Sequence, residues 1–120
     1  MFTRLSAPAY VLILEGDPLA AATLSANWSW RGIPSRVATE VDEARLLIAR
    51  QRPSLVLIDL DTPAAEELAS ECRAPGSRIP FILISSAPDA RALAAAVGAV
   101  AYVPKPIDVE RPNTARRFPE

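Results

Sequence analysis

The chain has 120 residues, half of them hydrophobic, and a formal net charge of −1. This suits one domain with one modest core, and it argues against disorder, a nucleic-acid-binding face or a funnel for acidic substrates. There is no histidine and one cysteine, Cys72, which removes the commonest general base and metal ligand, excludes an intrachain disulfide, and points to a reducing, cytoplasmic setting. No apolar run reaches the length of a membrane span, and "MFTRLSAPAY" lacks the layout of a signal peptide.

Strand-like and helix-like segments alternate along the chain. "YVLIL" (10–14) predicts a buried strand. Asp17 and Pro18 then predict a helix start, with the carboxylate capping free N–H groups and proline at the first position, and the helix runs to about Trp30. "IPSRVAT" (33–39) is a second strand, placed at an edge by Pro34. Thr39 with Asp42 resembles a capping box, and Val41, Ala44, Leu47 and Ile48 line one helical face behind it. "SLVLIDL" (54–60) is a third strand and "AAEELASECR" (64–73) the next helix. "PFILIS" (80–85), "PDARALAAAVG" (88–98) and "AVAYVP" (99–104) complete the pattern as strand, helix and strand. The tail "DVERPNTARRFPE" (108–120) has Pro112 where a fifth helix would run, and it has no apolar stripe, so that helix is in doubt.

Continuous apolar strands alternating with helices mean a parallel sheet covered on both faces, a three-layer doubly wound α/β fold of five strands. Ligands in such sheets bind beyond the carboxyl ends of the strands. Here those ends carry Glu15, Gly16 and Asp17, then Asp59 and Asp61, then Ser85 and Ser86, then Lys105, the one lysine beside twelve arginines. Carboxylates from adjacent strands can share a hard divalent cation such as magnesium. An ionised aspartate held there can attack phosphorus, and a hydroxyl and an ammonium can neutralise the phosphoryl oxygens. Taken singly, each residue has an ordinary reading: Asp59 as a strand terminator, Glu15 as a solvated carboxylate, Ser85 and Ser86 as a turn, Lys105 as a loop charge.

Together these landmarks resemble the receiver domain of two-component response regulators, over roughly residues 9–108. The resemblance rests on "VLILEGDP", "RPSLVLIDLDTP", "IPFILISS", "VGAVAY" and "VPKPI", in that order. It implies a flavodoxin-like strand order 2-1-3-4-5, with residues 109–120 left as an irregular tail or the remnant of a fifth helix. It also implies Asp59 as phosphoacceptor, and Ser85, Lys105 and Tyr102 as the residues that answer the phosphoryl group. Glu15, Asp59 and the main-chain carbonyl of Asp61 would face magnesium, and Pro106 would follow a cis peptide bond. The implied partners are a histidine kinase or phosphotransfer protein and a downstream protein, with neither nucleic acid nor membrane bound by this domain, and with no enzyme activity of its own.

The departures from that pattern shape the expectations. Gly16 stands where a second acid usually ligates magnesium, so the cation should bind weakly, and Asp17 falls one position late. The turn after Pro63 is short and lacks the usual glycine. Two further readings stay open. One is a degenerate receiver that docks partners without phosphorylation. The other is a small haloacid-dehalogenase-like phosphatase, suggested by the Asp-x-Asp-Thr of "LIDLDTP" but short of later acids and of room for a cap. With the fifth helix doubtful, the fifth strand and fourth helix offer a surface for a homodimer.

Overall fold

The computed structural model describes residues 9–105 and the strand residues 116–117. The expectations for Pro106 and for most of the fifth-helix region fall outside these residues. Ten elements follow one another: β1 (Val11–Leu14), α1 (Pro18–Trp30), β2 (Ser35–Ala38), α2 (Val41–Arg50), β3 (Leu55–Asp59), α3 (Ala65–Arg73), β4 (Phe81–Ser85), α4 (Ala90–Val97), β5 (Ala101–Pro104) and β6 (Arg116–Arg117). The sheet order is β2-β1-β3-β4-β5-β6. The first five strands are parallel, in the order 2-1-3-4-5, and β6 runs antiparallel to β5.

The strands alternate between the two faces, as their two-residue period requires. Leu12, Leu14, Val56, Ile58 and Leu83 join Leu68, Ala44 and Ala94 beneath α2, α3 and α4. Val11, Ile13, Leu57, Ile84 and Val103 join Leu24 and Trp28 of α1 on the opposite face. Both faces are therefore apolar, which explains why the central strands read as unbroken hydrophobic runs.

Local chemistry fixes the helix ends. Asp17 Oδ1 accepts from the Leu19 N–H at 3.2 Å with Pro18 at the first position, so Asp17 is a cap, as its sequence context predicts. The second cap differs from expectation. The α2 N-cap is Glu40, so the third helical residue is Glu43, and its Oε1 reaches back to the Thr39 N–H at 2.9 Å. Asp42 pairs with Arg45 instead, at 2.8 Å. The expected Thr39–Asp42 box therefore does not form: the N-cap Glu40 makes no side-chain cap bond, and Glu43 serves Thr39 instead.

The α3 entry turn, which lacks a glycine, is made by Ala64 in the left-handed region at φ 66°. At the far edge, the expected five-stranded sheet gains a sixth strand from the tail. Ala101 pairs with Arg117 and Tyr102 with Arg116, so the outer edge of β5 is covered there.

Candidate functional site

The parallel ladders continue one residue beyond the strands and set the rim. Glu15 N–H donates to Ala38 O at 3.0 Å, Leu60 N–H to Ile84 O at 2.8 Å, and Lys105 N–H to Ser85 O at 2.9 Å. These bonds fix the carboxyl ends of β1, β3 and β5 against β2 and β4, so that Glu15, Asp59 and Lys105 fall on one edge of the sheet. Among the described residues the buried polar side chains are Glu15, Asp59, Thr62 and Ser85, all on this rim, at 1%, 3%, 5% and 3% exposure. Burial of uncompensated carboxyls is costly, so their surroundings determine what the site can do.

Lys105 supplies the compensation. Its Nζ lies 3.0 Å from Asp59 Oδ1 and 3.0 Å from Asp61 Oδ2. Asp59 Oδ1 also accepts from the Asp61 N–H at 3.1 Å, while its Oδ2 faces the Thr62 hydroxyl at 3.5 Å. Asp61 is half-exposed, and its Oδ2 takes a further hydrogen bond from the Ser86 hydroxyl at 3.2 Å. Burial pulls the Lys105 ammonium down, but hydrogen bonds to Asp59 and Asp61 and the charges of Asp59 and Glu15 outweigh it and raise the pKa.

Glu15 is held differently. Its Oε2 accepts from the Asp17 N–H at 3.0 Å, and its buried Oε1 has no donor when both carboxyls are ionised. Burial first, then the neighbouring Asp59 carboxylate by hydrogen bonding and by charge, push Glu15 up to about 7, against the Asp17 N–H and Lys105, which lower it.

The structure brings together Glu15, Asp59, Asp61, Ser85 and Lys105. Ser85 Oγ accepts from the Ala87 N–H at 3.0 Å, an ST turn that leaves the hydroxyl proton available. Tyr102 lies deeper, buried on β5 beside Leu83 in register. Thr62 and Ser86 also shape the site. The sequence reading gave Thr62 no role, because a threonine in a turn carries no periodic signal of burial.

For a metal, the donors at hand are hard oxygens: the Glu15 and Asp59 carboxyls and the Asp61 carbonyl. No cluster of three His, Cys, Asp or Glu side chains fit to hold an ion occurs among the described residues, and the Asp61 carboxylate is engaged by Lys105 and Ser86. Two buried carboxyls with one orphaned oxygen suit a cation that keeps much of its water, as magnesium does.

Comparison with known proteins points one way. No family model matches the chain. The response regulator MprA of Mycobacterium sp. strain KMS is 31% identical over 107 residues, which cover 86% of this chain and 46% of that protein. The chain thus spans about half the length of the curated relatives it matches. The structure of a response regulator receiver protein from Burkholderia phymatum is 26% identical with a TM-score of 0.72, covering 85% of this chain and 86% of that one. The BeF3-activated N-terminal receiver domain of Klebsiella pneumoniae RstA is 25% identical with a TM-score of 0.72, covering 82% and 87%. These relatives do not favour the phosphatase reading. By strand order, by the order of its landmarks and by these similarities, the chain has the fold and the sequence landmarks of the receiver domains of two-component response regulators.

Proposed function

We propose that Asp59 accepts a phosphoryl group and that the rim around it converts this charge into a change of protein-interaction surface. The observation that carries the reading is the Lys105 ammonium 3.0 Å from Oδ1 of an almost fully buried Asp59 at the end of the central strand β3. In the transfer, an Asp59 oxygen forms a bond to phosphorus. The bond from phosphorus to the donor breaks; for a phosphohistidine of a kinase or phosphotransfer partner it is a P–N bond, and its electron pair returns to the imidazole. A magnesium ion held by Glu15, Asp59 and the Asp61 carbonyl would supply charge neutralisation.

The chain's own residues do the rest. Lys105, shared between Asp59 and Asp61 at rest, moves its hydrogen bonds to the phosphoryl oxygens. Ser85 has a proton to donate and turns toward them. The β4–α4 turn follows Ser85, and Tyr102 beneath it repacks, altering the α4–β5 surface that a downstream protein would read. Beryllofluoride with magnesium mimics the acyl phosphate without chemistry. Amide resonances of Ser85, Ser86 and residues 90–105 should shift on its addition. If they stay still at saturating beryllofluoride and magnesium, the switch reading fails and a phosphorylation-independent docking module takes its place.

A further inference from the structure

We propose that Thr62 takes the part of the missing second acid: its hydroxyl oxygen faces the divalent cation in place of the carboxylate that Gly16 lacks. The inference rests on the reading of the rim as a cation-assisted phosphoacceptor site and adds to it a residue chosen by geometry.

Three observations converge. First, Thr62 is 5% exposed, and its hydroxyl lies 3.5 Å from Asp59 Oδ2. Hydroxyl hydrogen bonds normally span about 2.5–3.0 Å, so this contact satisfies the hydroxyl poorly. Burying a poorly bonded hydroxyl is unfavourable, and valine would fill the same volume without that cost. The hydroxyl therefore calls for a further partner.

Second, the space at Gly16 leads to the same atom. A Cβ built there meets only Thr39 O at 3.7 Å and Thr62 Oγ1 at 3.9 Å. Thr62 thus borders the place from which a side chain at position 16 would address the cation. Third, Glu15 Oε1 is buried and lacks a donor in the ionised state. It is the one unpartnered carboxyl oxygen on the described rim, and together with the weakly bonded Thr62 hydroxyl and the Asp59 carboxylate it suits a cation.

A recess of about 450 Å³ between the β2–α2 and β3–α3 turns opens beside Thr62, lined also by Thr39, Glu40, Asp42 and Arg45. A neutral hydroxyl in place of a carboxylate keeps an oxygen toward the ion but adds no charge. Weak, water-rich magnesium binding follows, and it depends on the Thr62 oxygen rather than on the Thr62 methyl.

The test is magnesium titration of the intact chain, read by calorimetry and by amide shifts, with thermal melts to confirm folding. Thr62→Val should weaken magnesium about fivefold, the worth of one hydroxyl contact, and Thr62→Ser should restore most of the affinity. In a Gly16→Asp background the carboxylate supplies the oxygen, and Thr62→Val should cost little. If Thr62→Val fails to fold, Thr62→Ala against Thr62→Ser makes the same comparison. Unchanged affinity in Thr62→Val, or equal loss in Thr62→Ser, overturns the role of Thr62. If the parent chain binds magnesium and Asp59→Asn abolishes it while Thr62→Val does not matter, Thr62 alone is rejected. If the parent chain shows no binding, the cation reading of the whole rim falls with it.

Discussion

Gly16→Asp should change sign with the metal. The substitution is sterically free: no atom outside its chain neighbours lies within 3.7 Å of a Cβ built there, and the backbone is not left-handed. Its effect is therefore electrostatic. It places a third carboxyl beside Glu15 and Asp59, and among the described residues Lys105 is the cation that reaches them. Two unit charges about 5 Å apart at an effective permittivity of about 20 repel by ~3 kcal/mol. Solvent at the exposed Gly16 and the proton on Glu15 reduce the net cost to roughly 1–2 kcal/mol. That lowers the melting temperature by several degrees, at about 4–8 °C per kcal/mol for a domain near this size. Magnesium at about one hundred times its dissociation constant returns about 2.7 kcal/mol. The variant should melt below the parent chain in chelator and at or above it in saturating magnesium, with affinity at least about tenfold tighter, a difference of about 1.4 kcal/mol. Scanning calorimetry in both conditions reads both signs. Identical melting in chelator together with an identical magnesium response would refute the placement of Gly16 on the cation.

Other outcomes follow from the same structure. Glu15 carries a carboxyl raised from 4.5 to about 7, so its contribution to stability is complete below the unfolded value and is lost as pH rises to about 7. Glu15→Gln should therefore flatten the stability profile between those two values and stabilise the chain at pH 8, which urea titrations at several pH values would show. Leu83, buried at the centre of β4, should cost about 2–5 kcal/mol when changed to alanine; a loss under 1 kcal/mol by urea denaturation would contradict the packing. Gly98 closes α4 at φ 81° with Arg73 Cδ 3.1 Å from its added Cβ, so Gly98→Ala should destabilise by about 1 kcal/mol or more, measured the same way. Cys72 is buried, and burial first, then the Glu71 charge, push its thiol up to about 11; it should resist alkylation in the native state and react on unfolding. With Ala101 and Tyr102 paired to β6, edge-to-edge pairing through that half of β5 is blocked. Sedimentation should find no dimer formed through that edge, and a dimer lost on deleting residues 116–120 would contradict this.

Much of the fold was legible because both faces of the sheet are covered. Strands such as "LVLI" carry no polar alternation, and Pro34 can be tolerated only at an edge, where β2 lies. The acids and Lys105 were legible because a strand that buries its body must release its polar residues at its end. Other features were not. That Glu43 rather than Asp42 bonds back to Thr39 depends on where α2 begins, a one-residue distinction that propensity does not make. Thr62 looks like any turn residue until the β3–α3 turn folds it inward. The pairing of residues 116–117 with β5 is a long-range contact of two residues, too short to leave a period in the sequence. The left-handed Ala64 is likewise set by the turn around it, since alanine alone avoids that region.

The central claim is that Asp59 is the phosphoacceptor, and intact-mass measurement tests it most directly. The chain is incubated with a small-molecule acyl phosphate and magnesium, then weighed beside an Asp59→Asn variant treated identically. The structure predicts a gain of one phosphoryl group on the parent chain, labile to hydroxylamine and dependent on magnesium, and no gain on the variant. No gain on the parent chain, or an equal gain on Asp59→Asn, would contradict it.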